Sequence, residues 1–168
     1  MSQGIALEGM RLVKENLTVV YDDPANLTGR AHMMSAAMMG ATAFQKGLGA
    51  IHALSHPIGA IYHTHHGTTN AVVMQAVMRF NRSEIEDRFV SAARYLDIEG
   101  GFDGFYDFVG GLVTHLNIPK NLTDLGLRDL GNADFDRIVA AALNDPSAGG
   151  NPRALTAKNT RALLEACF

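Results

Sequence analysis

Apolar side chains recur at helical spacing through most segments of this chain, and capping or helix-breaking residues separate the segments. The first such pattern covers residues 5–17, and two more cover residues 102–116 and 134–143. Alanine, leucine and methionine dominate the apolar set and tryptophan is absent, which favours helix over strand. We therefore predict an all-α fold, a multi-helix bundle. With 168 residues, the chain is long enough for one substantial core, so we predict a single domain over residues 1–168.

Turn and capping residues predict where several helices begin. Residues 22–24, Asp-Asp-Pro, predict the start of a long second helix with proline at its first position. A capping-box pattern at residues 83–86 predicts a helix start there, and Thr156 predicts the cap of the last helix. Pro57 and the nearby glycines predict breaks among the histidines described below.

Four methionines lie close together in the predicted second helix. Methionines one turn apart on an alanine-rich helix can form an adaptable binding surface, but they more often fill a core. We therefore expect core packing for Met33, Met34, Met38 and Met39.

Charge and composition exclude several classes of partner. The net charge is −3 and the basic residues are scattered, so no basic stripe for nucleic acid is present. No apolar run reaches the length of a membrane span, and the N-terminal residues lack the pattern of a signal peptide. The single Cys167 cannot close an intrachain disulfide. We expect a cytoplasmic protein with neither a nucleic-acid nor a membrane partner.

Five of the seven histidines fall within residues 52–66. Neutral imidazole is the commonest side-chain metal ligand near neutral pH, so a metal site is the first hypothesis. His52 and His56 are four residues apart and would share one face of a helix. His66 follows after a possible turn at Gly59, so two imidazoles from separate helices could share one metal. The alternative is ordinary hydrogen-bonded histidines, which we adopt for the isolated His32 and His115.

Longer motifs around these histidines carry a family resemblance. They are GATAF at residues 40–44, GLGAIHALSHPIGA at 47–60, HGTTNAVVM at 66–74 and RFN at 79–81. Together they closely resemble the metal-binding signature of the iron-containing, or group III, alcohol dehydrogenases. Residues 4–12, 30–35 and 145–153 extend the resemblance over nearly the whole chain. The resemblance implies the family's all-helical C-terminal domain, which is dehydroquinate-synthase-like.

The resemblance also implies roles for three histidines. His52 and His66 fall on metal-ligand positions, and His56 falls on the non-ligand histidine placed near the nicotinamide and the proton-transfer path. The metal, Fe²⁺ or in some members Zn²⁺, would act as a Lewis acid on an alcohol or carbonyl oxygen. Hydride would move between an alcohol and NAD(P), with an aldehyde or ketone as the other partner of the reaction.

Two parts of the family pattern have no counterpart here. The family completes its metal site with an Asp and a His four residues later, and this sequence contains no such pair. The α/β nucleotide-binding domain with its glycine-rich phosphate turn is also absent from it. We expect a C-terminal half that is a truncated product, a fragment or one subunit of a split enzyme, with little or no activity alone. The chain would then assemble with a nucleotide-binding partner chain or form a homodimer.

Two alternatives remain open. The chain could be a non-catalytic helical scaffold or dimerisation module derived from that domain. Alternatively, the neighbouring His63, His65 and His66 could bind metal weakly and without geometric selectivity.

Overall fold

The computed structural model describes residues 1–168 and contains helices but no β-strand, which confirms the all-α prediction. Short 3₁₀ turns lie at Phe44–Lys46 and Ala148–Gly150. The seven α-helices are α1 (Ser2–Asp22), α2 (Leu27–Ala43), α3 (Ala50–Tyr62), α4 (His66–Tyr95), α5 (Gly101–His115), α6 (Asn132–Asn144) and α7 (Ala157–Glu165).

The chain divides into two compact units. The first unit contains Met1–Lys46 and Glu86–Leu116, and the second contains Gly47–Ile85 and Asn117–Phe168. Helix α4 contributes its first part to the second unit and its last part to the first. The assignment of residues 1–168 to one domain stays a prediction.

The core of the second unit forms where α3 packs on α6 and α6 packs on α7. Leu54 and Ile58, one turn apart on α3, are fully buried there with Ile138 of α6 and Leu164 of α7. Val73 of α4 is equally inaccessible. Each such side chain contributes about 1.5–3 kcal/mol through the apolar area it removes from water. This core fixes the helices that carry the clustered histidines.

The second helix begins later than the Asp-Pro pattern predicts. Helix α1 continues through Asp22, and the Asp23 side chain accepts a hydrogen bond from the Ala25 amide at 3.1 Å, forming a local turn instead of a cap. Asn26 is the actual cap of α2, since its Oδ1 accepts from the Gly29 amide at 2.8 Å. The predicted start at Pro24 is therefore wrong.

The predicted helix start at residues 83–86 is also wrong, because α4 runs unbroken through them. No glycine or proline interrupts the chain between Gly67 and the end of α4, so nothing stops the helix. The Ser83 hydroxyl donates to the Glu84 carboxylate at 3.2 Å and does not serve as an N-cap. The predicted cap at Thr156 is confirmed, with its hydroxyl accepting from the Asn159 amide at 3.3 Å.

The methionines of α2 differ from the predicted core packing. Met34 is 76% exposed and Met38 is 66% exposed, whereas Met33 and Met39 are half-buried. Helix α2 packs against α1 in the first unit through small residues instead. A Cβ atom at Gly9 would lie only 3.3 Å from the Met39 Cβ, so the helices approach closely there and two methionines remain outside.

No helix of this structure is both long enough and apolar enough to cross a membrane. The cytoplasmic location stays a prediction.

Candidate metal centre

Helices α3 and α4 bring three histidines of the cluster together. His52 and His56 lie one turn apart on α3, and His66 is the first residue of α4. The ring centroid of each lies 5.4–5.5 Å from those of the other two. The predicted meeting of imidazoles from two helices is thus present in the structure.

The turn that joins these helices lies after Gly59. Helix α3 continues through both Pro57 and Gly59 to Tyr62, and its C-cap His63 adopts a left-handed conformation with φ of 55°. The His63 amide donates to the Gly59 carbonyl at 2.9 Å. The predicted turn at Gly59 is therefore wrong, and the left-handed residue at the helix end reverses the chain instead.

The start of α4 is held by a buried hydroxyl and an imidazole cap. Thr69 is fully buried, and its Oγ1 donates to the Thr64 hydroxyl at 2.7 Å and lies 3.0 Å from the His65 carbonyl oxygen. His65 is exposed, and its Nδ1 accepts a hydrogen bond from the Thr68 amide at 3.3 Å, as an N-cap does. His65 therefore caps a helix, and these contacts fix the backbone from which His66 projects.

Two imidazole nitrogens converge on one side-chain amide. Asn70 lies one turn after His66, and its Nδ2 lies 3.0 Å from His66 Nε2 and 3.4 Å from His52 Nε2. Its Oδ1 is buried and has no hydrogen-bond partner. Two Nε2 atoms directed at a common point match the arrangement of two ligands of one Zn²⁺ or Fe²⁺ ion. These residues therefore fit a metal as two of its ligands.

The remaining ligands are absent from this chain. No group of three or more His, Cys, Asp or Glu side chains has the spacing to hold a metal ion. A catalytic zinc site commonly has three protein ligands. His52 and His66 alone are therefore too few for such a site.

His56 is directed elsewhere, toward a carboxylate from the end of α6. Its Nδ1 lies 2.8 Å from Asp145 Oδ2, and the Asp145 side chain is only 11% exposed. The Ser147 amide donates to Asp145 Oδ1 at 2.8 Å. Burial raises the pKa of Asp145, but the hydrogen bonds from Ser147 and His56 together outweigh burial and lower it. An ionised carboxylate only accepts, so Nδ1 of His56 carries a hydrogen, and in the neutral ring the lone pair therefore lies on Nε2.

The environment of His52 favours its neutral form. Burial is the largest influence that lowers its pKa, and the neighbouring His56 and His66 lower it further. Because a metal binds the neutral imidazole, this environment keeps His52 in a state that can act as a ligand.

A buried amide pair anchors the N-terminus of α3. Asn151 Oδ1 accepts from the Ala50 amide at 3.0 Å and from Asn81 Nδ2 at 2.9 Å. Asn151 Nδ2 donates to Asn81 Oδ1 at 2.8 Å and to the Arg153 carbonyl at 2.7 Å. The pair ties α3 and α4 to the segment that follows Asp145. It thereby holds the elements of the site in register.

The isolated histidines are hydrogen-bonded as predicted. His32 Nδ1 lies 3.0 Å from Asn16 Oδ1, and His115 Nε2 lies 2.9 Å from Asp22 Oδ1. Both histidines are exposed and belong to the first unit.

Sequence reasoning did not identify Asn70 and Asp145. Helical spacing of four residues from His66 could have singled out Asn70. No local sequence pattern could have identified Asp145, because it lies 89 residues from His56 in the chain.

Comparison with known proteins agrees with this fold. The model of the Fe-containing alcohol dehydrogenase family, C-terminal, matches residues 1–168. The chain is 36% identical to the 4-hydroxybutyrate dehydrogenase of Cupriavidus necator over 173 aligned residues. This alignment covers 98% of this chain and 44% of that protein. It is 28% identical to the 1,3-propanediol dehydrogenase of Citrobacter freundii, over 100% of this chain and 45% of that protein.

A solved structure shows the same helical arrangement. The crystal structure of a 1,3-propanediol oxidoreductase superposes with a TM-score of 0.91 at 28% identity, covering 99% of this chain and 45% of that one. The chain thus spans less than half the length of these relatives. It belongs to the iron-containing alcohol dehydrogenase family and corresponds to the family's all-helical C-terminal domain.

Proposed function

We propose that this chain supplies the metal-binding helical half of a metal-dependent, NAD(P)-linked alcohol dehydrogenase or carbonyl reductase. The observation that carries the proposal is the convergence of His52 Nε2 and His66 Nε2 on the Asn70 amide nitrogen. Family membership over residues 1–168 supports it.

His52 and His66 would hold Fe²⁺ or Zn²⁺ as two of its ligands. The other ligands and the nucleotide site would come from the part of the family protein that this chain does not cover, in the same polypeptide or in a partner. When bound, the metal would polarise the alcohol or carbonyl oxygen and lower the pKa of the alcohol. The isolated chain would then have little or no dehydrogenase activity.

His56 would carry the proton between the reacting oxygen and water. The Asp145 carboxylate holds the hydrogen on Nδ1, so Nε2 of His56 is free to accept a proton. The imidazolium formed in this step would be stabilised by the same carboxylate at 2.8 Å. The His56 side chain is 40% exposed, so the proton can pass on to solvent.

The substrate class would be a small alcohol and its aldehyde or ketone. The relatives carry names such as 4-hydroxybutyrate dehydrogenase, 1,3-propanediol dehydrogenase and lactaldehyde reductase. These names share a short hydroxy or carbonyl compound.

Dehydrogenase activity tests the proposal in two arms. The purified chain is assayed alone and after co-expression with the part of the Cupriavidus necator relative that it does not match, using 4-hydroxybutyrate and NAD⁺ or NADP⁺. We expect no turnover alone and measurable turnover after co-expression. A His52→Ala/His66→Ala variant should abolish the activity. A His63→Asn/His65→Asn variant, which keeps a left-handed residue and a helix cap, should retain it.

The outcomes separate the remaining alternatives. Turnover by the isolated chain would contradict the proposal that its site is incomplete. Co-purification of the two parts without any turnover would instead support a scaffold or dimerisation module. Activity that survives loss of His52 and His66 would overturn their proposed role.

A further inference from the structure

We infer that Asn70 is a positioning residue that holds the imidazoles of His52 and His66 with both Nε2 lone pairs directed at one point. This inference rests on the proposed role of these histidines as metal ligands. It concerns how the metal-free chain keeps them ready for a metal.

The amide nitrogen of Asn70 has one hydrogen for each imidazole. Its Nδ2 lies 3.0 Å from His66 Nε2 and 3.4 Å from His52 Nε2. An amide nitrogen only donates, so both Nε2 atoms must accept. Each histidine then carries its hydrogen on Nδ1, which leaves on Nε2 the lone pair that a metal requires.

The oxygen of the same amide forms no hydrogen bond in this orientation. Asn70 Oδ1 is buried and unpartnered, and a buried carbonyl oxygen without a donor is unfavourable. Rotating the amide by half a turn would direct Oδ1 at the imidazoles and require a hydrogen on both Nε2 atoms. That state has no lone pair for a metal, so the orientation of Asn70 corresponds to the ligand-competent tautomers.

The position of Asn70 also predicts a gain of function. Helical spacing places its side chain beside His66 from the same face of α4. A carboxylate at this position would present an oxygen where the two Nε2 atoms converge. Asn70→Asp would thus complete a set of two histidines and one carboxylate, which is a recognised ligand set for divalent metals.

The first readout is the histidine tautomer in the metal-free protein. We would record ¹⁵N–¹H spectra of the histidine rings at a pH above the imidazole range, in the wild type and in Asn70→Ala. We expect only the Nδ1–H tautomer for His52 and His66 in the wild type, and a mixture with Nε2–H in the variant. Asn144→Ala, a change at an exposed asparagine on α6, should leave the wild-type tautomers unchanged.

The second readout is Co²⁺ affinity, measured by titration. Asn70→Asp should bind Co²⁺ at least about tenfold more tightly than the wild type, because a third ligand replaces an amide that donates to the two Nε2 atoms. Adding His66→Ala to Asn70→Asp should remove that gain. Circular dichroism checks that each variant remains helical.

These readouts separate this inference from the proposed function. Unchanged tautomers in a folded Asn70→Ala variant would overturn the positioning role. Wild-type tautomers as expected, together with no Co²⁺ binding by the wild type and a gain in Asn70→Asp, would support the positioning role while contradicting the native metal site. No gain in a folded Asn70→Asp variant would show that the three side chains do not converge as inferred.

Discussion

The two compact units distribute polar and apolar side chains in opposite ways. The first unit exposes large apolar side chains such as Leu27, Met34, Met38 and Phe44. The second unit contains the buried polar residues, which are Ser55, Thr69, Asn81, Ser147, Asn151 and Thr160. Buried polar groups that are fully hydrogen-bonded fix one geometry, whereas exposed apolar groups contribute little to the fold that displays them. Precise positioning is therefore concentrated in the unit that carries the histidines.

The largest effect in the second unit should come from Asn151→Ala. The change leaves the Ala50 amide and both polar ends of Asn81 without their partner in a buried region. Each unsatisfied buried group costs about 1–3 kcal/mol, so we expect the free energy of unfolding to fall by about 3 kcal/mol or more. Urea denaturation measures it. Asn144→Ala, on an exposed surface, should change stability by less than about 0.5 kcal/mol. Equal losses of unfolding free energy in Asn151→Ala and Asn144→Ala would contradict the claim that buried polar contacts stabilise the second unit.

Two adjacent glycines provide a sharper test of the same region. A Cβ atom at Gly150 would overlap the Leu48 carbonyl oxygen, whereas one at Gly149 would meet nothing within 4 Å. We expect Gly150→Ala to destabilise the protein by about 2 kcal/mol through this overlap. Gly149→Ala should change the melting temperature little. Similar melting temperatures for the two variants would show that the segment 148–151 does not pack closely on the start of α3.

Asp145→Asn should reduce stability by about 1–2 kcal/mol near neutral pH, because it weakens charge-assisted hydrogen bonds from His56 and Ser147. The pKa of Asp145 is lowered in the folded state, below its ordinary value of 3.8. Its contribution is therefore present above about pH 4 and is lost as the pH falls through the lowered value. The difference between wild type and variant should shrink below pH 4. A difference that is independent of pH would contradict a stabilising role for the ionised Asp145 carboxylate.

The smallest effect should come from the first unit's exposed methionines. Met34→Gln and Met38→Gln together should change the free energy of unfolding by no more than about 0.5 kcal/mol, because both side chains lie in solvent. Ala36→Gln on the same helix should destabilise by about 1–3 kcal/mol, because Ala36 is only 5% exposed. Strong destabilisation by the methionine changes would show that this face is covered.

The sequence predicts most of the helices and the meeting of imidazoles from two helices, because helical periodicity and capping are local. It fails where a nearby contact changes the outcome, as with the Asp23 turn that displaces the cap to Asn26, or the left-handed His63 that replaces Gly59 as the turn. It also fails for Asp145, whose pairing with His56 depends on α6 packing against α3. The exposure of Met34 and Met38 was missed because close helix packing at Gly9 uses small residues instead.

Titration of the purified chain with Co²⁺ or Zn²⁺ tests the central claim most directly. The wild type and the His63→Asn/His65→Asn variant should bind one metal ion per chain with the same weak affinity, since only two protein ligands are present. His52→Ala/His66→Ala should lose this binding. Equal binding by the wild type and the His52/His66 variant, or loss of binding on changing His63 and His65, would contradict the assignment of His52 and His66 as the metal ligands.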